Sequence, residues 1–259
     1  MKDKLTLVKI GGKVIDDPSM FRRFIQDFAA LEGSKILVHG GGKIASQVSE
    51  QMNIPVKLLD GRRVTNTADL EVVTMVYAGL VNKTIVAQLS AQNCPALGLS
   101  GADGNSILAI KRPTKPIDFG WVGDIVKVNT SFIQQPLQQQ ITPVFCAIGH
   151  DGKGQLLNTN ADTVAAEIAV AMSEYYAVSL LYCFEKNGVL QNINDATSVL
   201  PSLNFKAYQK LMAKGKIHDG MLPKLNNCFY ALENQVKEVK IGTTAMLNQQ
   251  ETICTNLSL

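Results

Sequence analysis

The sequence predicts an α/β fold on three observations. Short apolar runs bounded by glycine or proline alternate with segments of helical period. Two glycine clusters each stand between a strand-like and a helix-like stretch, and no internal repeat or low-complexity tract breaks the alternation. The 259 residues suffice for one large α/β unit or two smaller ones with a substantial core.

The elements follow in order. "LTLVKI" (5–10) reads as a strand and "PSMFRRFIQDFAAL" (18–31) as a helix, with Asp17 as its cap, Pro18 in its first turn and Gly33 where it stops. "KILVH" (35–39) is the next strand; Gly40-Gly41-Gly42 separates it from the helix "KIASQVSEQM" (43–52). Thr67 to about Asn93 reads as one long helix with Leu70, Val73, Val76, Tyr77 and Leu80 on its apolar stripe. "ILAIKR" and "GWVGDIVKV", between 107 and 128, suggest a hairpin, "TPVFCAIG" (142–149) a single buried strand and "HDGKG" a tight turn. "NADTVAAEIAVAM" opens a helix striped by Val164, Ile168 and Met172. A second α/β stretch follows: strand "VSLLYCF", helices near 204–213 and 221–234, strand "EVKIG" and the closing "TICTNLSL". A lobe boundary is expected near 175, giving lobes 1–175 and 176–259.

Composition removes several function classes. A net charge of +3, evenly spread, is too small for a nucleic-acid footprint. The five cysteines are 26 or more residues apart without a C-x-x-C pair, as expected of reduced thiols, and three histidines show no metal-ligand spacing. The sequence is read as having no apolar run of the roughly 18 residues a membrane span needs and no signal peptide, so a cytoplasmic protein without membrane partners is expected.

Glycine turns between strand and helix let backbone N–H groups approach an anion. Neither cluster matches G-x-x-x-x-G-K-[ST], the P-loop. Gly40, Gly42 and Ala45 satisfy G-x-G-x-x-A with Asp60 twenty residues beyond Gly40, but a dinucleotide fingerprint should follow the first strand, and this one follows the second. The first strand carries Lys9 and Gly11-Gly12 instead. Alone, Lys9, Arg62 and Arg63 in "GRRVT", Asn158, Asn160 and Asp162 in "LLNTNAD", and Lys224 in "HDGMLPK" each have a bland reading as surface charge or helix cap.

Together and in order, "VKIGGK", "VHGGGK", "GRRVT", "GLSGADG", "GWVGDIVKVN", "PVFCAIGHDGKGQLLNTNAD" and "DGMLPK", over residues 5–230, resemble the N-acetylglutamate kinases of the amino acid kinase family. The resemblance implies a three-layer αβα sandwich around a mainly parallel central sheet, and ATP-dependent phosphorylation of the side-chain carboxylate of an N-acylglutamate in arginine biosynthesis. The acyl amino acid would bind in lobe 1–175 and the nucleotide in lobe 176–259. Lys9 and Lys224 would flank the phosphoryl group in flight, and Asp162 would hold both ammonium groups. Gly11 and Gly12 would present backbone donors to the phosphate, and Gly188 and Gly220 would serve the nucleotide. Gly41, Gly42, Arg63, Asn158 and Asn160 would bind the acyl amino acid, with magnesium carried mainly by the ATP phosphates.

The chemistry agrees with these roles. Phosphoryl transfer is chiefly positioning plus electrostatic stabilisation, which lysines and backbone N–H groups supply. A carboxylate nucleophile with a reference pKa of about 4.3 is already ionised at neutral pH, so no general base is needed. Arginine's planar fork suits the α-carboxylate.

The sequence departs from the family at "LLYCFEKNGVL", where Cys183-Phe184 stands in place of Thr/Ser-Asp-Val, and at "ETICTNLSL", which lacks a glycine before its threonine. N-succinylglutamate, met by Arg62 or Lys57, is the alternative acceptor. A non-catalytic amino-acid sensor is the alternative function, against which intact Lys9, Asp162 and Lys224 speak. The family's arginine-sensing N-terminal helix has no counterpart, so an arginine-insensitive homodimer is expected, with the 67–93 helix at or near the contact.

Overall fold

The computed structural model describes residues 2–59, 61–192, 194–215, 217, 221–248 and 253–259. The chain forms two compact units, one of residues up to Lys35 with Ala165–Leu259, the other of Ile36–Val164. This geometric division crosses the chain twice and groups the first strand with the C-terminal third. Both units combine helices with sheet, mainly parallel in the first and mixed in the second, the α/β class expected.

In the first unit the strands lie in the order Ser202–Asn204, Cys254–Ser258, Glu238–Gly242, Ala177–Cys183, Lys4–Ile10. Every pairing is parallel except that of Glu238–Gly242 with Cys254–Ser258. Strands buried on both faces read as near-continuous apolar runs, as "LTLVKI" does, with Leu5, Leu7, Val8 and Ile10 buried. Helix Pro18–Ala29 buries Phe24, Ile25 and Phe28. Asp17 caps it, its carboxylate accepting from the N–H groups of Ser19 and Met20 at 2.9 Å each. The helix stops at Ala30 rather than Gly33; Gly33, at φ 77°, instead makes the turn into the next strand. Helices Phe205–Ala213 and Leu222–Glu233 fall where expected.

In the second unit Ser34–His39, Thr142–Cys146 and Ala96–Leu99 lie side by side and parallel. A smaller sheet runs Leu156–Asn158, Ile148–His150, Ile107–Lys111, Gly123–Val128, its last two strands being the expected antiparallel hairpin. The single strand expected over 142–149 is therefore two, because the chain changes sheets at buried Ala147. Lys57–Leu59 and Arg62–Val64 form a two-stranded hairpin that holds "GRRVT".

The long helix spans Thr67–Ser90. Asn66 and Asp69 form a capping box at its start. Its middle, Met75–Val81, is a π segment between two α-helical ends. That segment corrects the expected stripe. Leu70, Val73, Val76 and Tyr77 are buried, but Leu80 is 55% exposed while Val81 and Asn82 are 3% and 1% exposed. Bonding i to i+5 widens the turn, so the buried face slips by one residue after Tyr77. By length and composition this helix could cross a membrane, which revises the expectation that no run is long enough; the packed face just described accounts for its apolarity.

Helix Ala161–Ser173 begins in this unit. Val164, Ile168 and Met172 are fully buried as expected, and so are Ala165, Ala166 and Ala169, which makes it a core helix apolar on most sides.

Candidate active site

In the Ile36–Val164 unit, strand Ser34–His39 runs through Gly40 and Gly41 into helix Gly42–Gln51. A Cβ at Gly41 would lie 3.0 and 3.2 Å from two ring carbons of Tyr77, so glycine suits this close approach. Gly42 offers its carbonyl to Arg63 Nη2 at 3.1 Å, and the same nitrogen donates to Ser46 Oγ at 2.6 Å. Arg63 Nη1 lies 3.4 Å from Asp69 Oδ1, in a pair whose side chains are 6% and 2% exposed. Asp69 is itself fixed by the capping box, its other carboxylate oxygen accepting from the Asn66 N–H at 3.3 Å. A helix cap thus aims the arginine. The fork expected to stand open toward a carboxylate is partly occupied, since Nη2 already serves two protein acceptors.

Asn158 is buried, its Nδ2 donating to Thr65 Oγ1 at 2.9 Å and its N–H to the Trp121 carbonyl at 2.9 Å. Asn160 caps the next helix, Oδ1 accepting from the N–H groups of Asp162 and Thr163 at 2.9 and 3.1 Å. Its bland reading therefore holds, and only its Nδ2 is left over from the cap.

Gly41, Gly42, Arg63, Asn158 and Asn160 all line one cavity of about 510 Å³. The structure thus brings together every residue expected to bind the acyl amino acid. Reading the sequence missed Lys43, Ser46, Tyr77 and Arg112, which line it too. Arg112 is held by Asp124 through Nε at 3.1 Å and Nη2 at 2.5 Å. The tyrosine looked like one more residue of a helical stripe, and the arginine like the end of an ordinary strand. Burial pushes the Tyr77 phenol up, while the Arg63 guanidinium beside it pulls the other way.

Lys9, Lys224, Gly11, Gly12 and Gly188 lie in the other unit. Lys9, 9% exposed, pairs in register with Tyr182 of the neighbouring parallel strand, so the two side chains leave the same face. Lys224 stands in the first turn of Leu222–Glu233, where a cation opposes the helix dipole. Its Nζ lies 5.1 Å from the Tyr182 ring centroid and 5.9 Å from that of Phe184, faces that attract a cation. Burial pushes the Cys183 thiol up to about 12, and both ammonium groups, Lys9 then Lys224, pull it back. Lys9 and Lys224 therefore converge on the carboxyl end of strand Ala177–Cys183.

Gly11 departs from its expected role. Its N–H donates to the Cys183 carbonyl at 2.8 Å, so the turn is tied to the sheet by the atom meant for phosphate. Gly12, first residue of helix Gly12–Asp16, has by helix geometry no intrahelical acceptor for its N–H, and a Cβ there would meet nothing within 4 Å. Gly188 is needed for packing: at φ 159° its Cβ would lie 2.5 Å from Thr255 Oγ1, which accepts from the Val189 N–H at 2.8 Å. Asp162 sits in the first turn of Ala161–Ser173. Gly220, and with it Asp60 and His218, lies outside the described residues.

Comparison with known proteins gives the family. The acetylglutamate kinase of Phocaeicola vulgatus is 47% identical over 249 residues, covering 96% of this chain and 97% of that one. That of Bacteroides fragilis is 48% identical over 248 residues, covering 96% and 95%. The crystal structure of smu.665 from Streptococcus mutans superposes with a TM-score of 0.78 at 25% identity, over 97% of this chain and 98% of its own. The amino acid kinase family profile matches residues 4–243, and with relatives of this closeness over nearly its whole length the chain belongs to the amino acid kinase family.

Proposed function

We propose that this chain transfers the γ-phosphoryl group of ATP to the side-chain carboxylate of N-acetylglutamate, a step of arginine biosynthesis. The observation that carries the reading is that five motif residues, Gly41, Gly42, Arg63, Asn158 and Asn160, line one cavity in a chain 47–48% identical to acetylglutamate kinases. That cavity supplies cations and amides for a small carboxylic acid. Arg63, with its remaining N–H donors, and the amide of Asn158 meet the α-carboxylate and acylamino group.

Lys9 and Lys224 stabilise the negative charge that builds on the transferring oxygens, and Asp162 orders their ammonium groups. The Gly12 N–H adds a backbone donor. The acceptor carboxylate is ionised at neutral pH, so transfer needs no proton acceptor. Nucleotide binding belongs to 176–259, with Gly188 and Gly220, and acyl amino-acid binding to 1–175. Mg²⁺ enters on the ATP phosphates and neutralises their charge.

The protein acts in the cytoplasm as a homodimer. Met75 and Leu80, 52% and 55% exposed on the long helix, supply the apolar contact.

A coupled assay of ADP release tests the reading. N-acetylglutamate should support turnover, N-succinylglutamate far less and free glutamate least. No ADP release with any of the three would leave the amino-acid sensor as the better account.

A further inference from the structure

The π segment Met75–Val81 brings two helix residues to one loop. Tyr77 lies against Gly41, its hydroxyl 3.7 Å from where a Cβ of Gly42 would stand, and Val81 Cγ2 is 3.4 Å from the Gly41 position. Five residues after Tyr77, Asn82 is 1% exposed and donates from Nδ2 to His39 Nε2 at 3.0 Å and to the Val144 carbonyl at 2.9 Å. In a regular α-helix residue i+5 is turned about 140° from residue i. An i to i+5 bonded turn brings it back over residue i. The wider turn puts Tyr77 against Gly41 while Asn82 reaches the same loop through His39.

The Asn82 amide has one orientation. Val144 offers a carbonyl to Nδ2, and the Lys83 ammonium lies 3.3 Å from Oδ1. Facing that Nδ2–H, His39 Nε2 must be the acceptor, so the proton sits on Nδ1 and is donated to the Gly40 carbonyl at 2.7 Å. His39 is fully buried at the end of its strand, directly before the three glycines.

We propose that Asn82 and His39 are positioning residues for the amino-acid substrate. Through the chain Asn82, His39, Gly40, the long helix fixes the peptide plane at the head of the glycine loop, and so the donors this loop turns toward the cavity. Neither side chain lines the cavity. The inference rests on N-acetylglutamate occupying that cavity.

Two measurements on the full chain test it: steady-state kinetics with N-acetylglutamate and ATP, and calorimetric binding of N-acetylglutamate, which needs no turnover. Asn82→Leu and His39→Leu should each raise both the KM and the Kd for N-acetylglutamate about tenfold, the worth of one or two hydrogen bonds. The KM for ATP and kcat should change less than threefold. His39→Asn, whose short amide can still reach the Gly40 carbonyl, should recover most of the loss, although it removes the ring as His39→Leu does. Should Asn82→Leu not fold, the two His39 variants carry the test. Folded variants that bind N-acetylglutamate within twofold of the parent would overturn the proposal, as would His39→Asn no better than His39→Leu. Parent protein that binds N-acetylglutamate without turnover would refute the kinase reading while leaving the positioning test intact. Parent protein that does not bind it would remove both.

Discussion

The Ile36–Val164 unit and its partner hold cations in different ways. Around the cavity, Arg63 is locked by Asp69, the Gly42 carbonyl and Ser46, and Arg112 by two bonds to Asp124. In the other unit Lys224 approaches an aromatic pair, and Lys9 and Lys224 both act on a buried thiol at a strand end. Planar guanidinium groups with fixed partners suit recognition of a ground-state anion. Ammonium groups on flexible stems suit charge that appears only during transfer. Under the proposed function, binding and chemistry would fall to differently built regions.

Kinetics can break that comparison. The largest effect belongs to the lysines: Lys9→Ala or Lys224→Ala should lower kcat by on the order of 10²–10³-fold, as loss of one transition-state donor does elsewhere, with KM for N-acetylglutamate changed little. A rise in KM with kcat intact would put the lysines in the binding class and erase the distinction.

Arg63→Ala should act in the opposite sense, raising KM for N-acetylglutamate more than it lowers kcat. It also leaves Asp69 as a buried charge stripped of its arginine, so stability should fall by about 3 kcal/mol, the low end for breaking a buried pair. Urea unfolding measures that term separately, and a variant as stable as the parent would mean that the Arg63–Asp69 pair contributes little.

Asn160→Ala sharpens the cavity side. Asn160 caps a helix from the cavity wall, so about 1 kcal/mol of stability should go with the cap. A large loss of affinity without loss of stability would show that its remaining amide hydrogens, rather than its cap, matter most.

The smallest effect is remote from both regions. The Asp17 carboxyl is held below the usual carboxylate range by the Ser19 hydroxyl, then by the N–H groups of Met20 and Ser19. Its folded pKa being lowered, its stabilisation is complete above the unfolded value of about 3.9 and is lost as pH falls through the folded value. Asp17→Ala should therefore lower the melting temperature at pH 7, and the difference should shrink in acid below pH 4. A difference independent of pH would place the loss in packing.

Much of this was legible in the sequence. The strand and helix order followed from period, because core strands such as Lys4–Ile10 and core helices such as Ala161–Ser173 carry strong apolar signals. The cavity residues were found because they sit in short ordered motifs. What escaped depends on contacts distant in sequence. Nothing local marks Met75–Val81 as a π segment, and Tyr77 looks like any stripe residue until Gly41 is seen against it. The loss of the Gly11 donor to Cys183 joins residues 172 apart. Ala147, where the chain leaves one sheet for another, lies in an apolar run that period alone reads as one strand.

The most direct measurement is hydroxylamine trapping of the acyl phosphate. Purified protein with ATP, magnesium and N-acetylglutamate should yield the γ-hydroxamate in step with ADP, with Lys9→Ala giving little of either. Absence of hydroxamate from active, folded protein, or equal yield from free glutamate, would contradict the assignment of this cavity to an acylated amino acid and of the paired lysines to phosphoryl transfer.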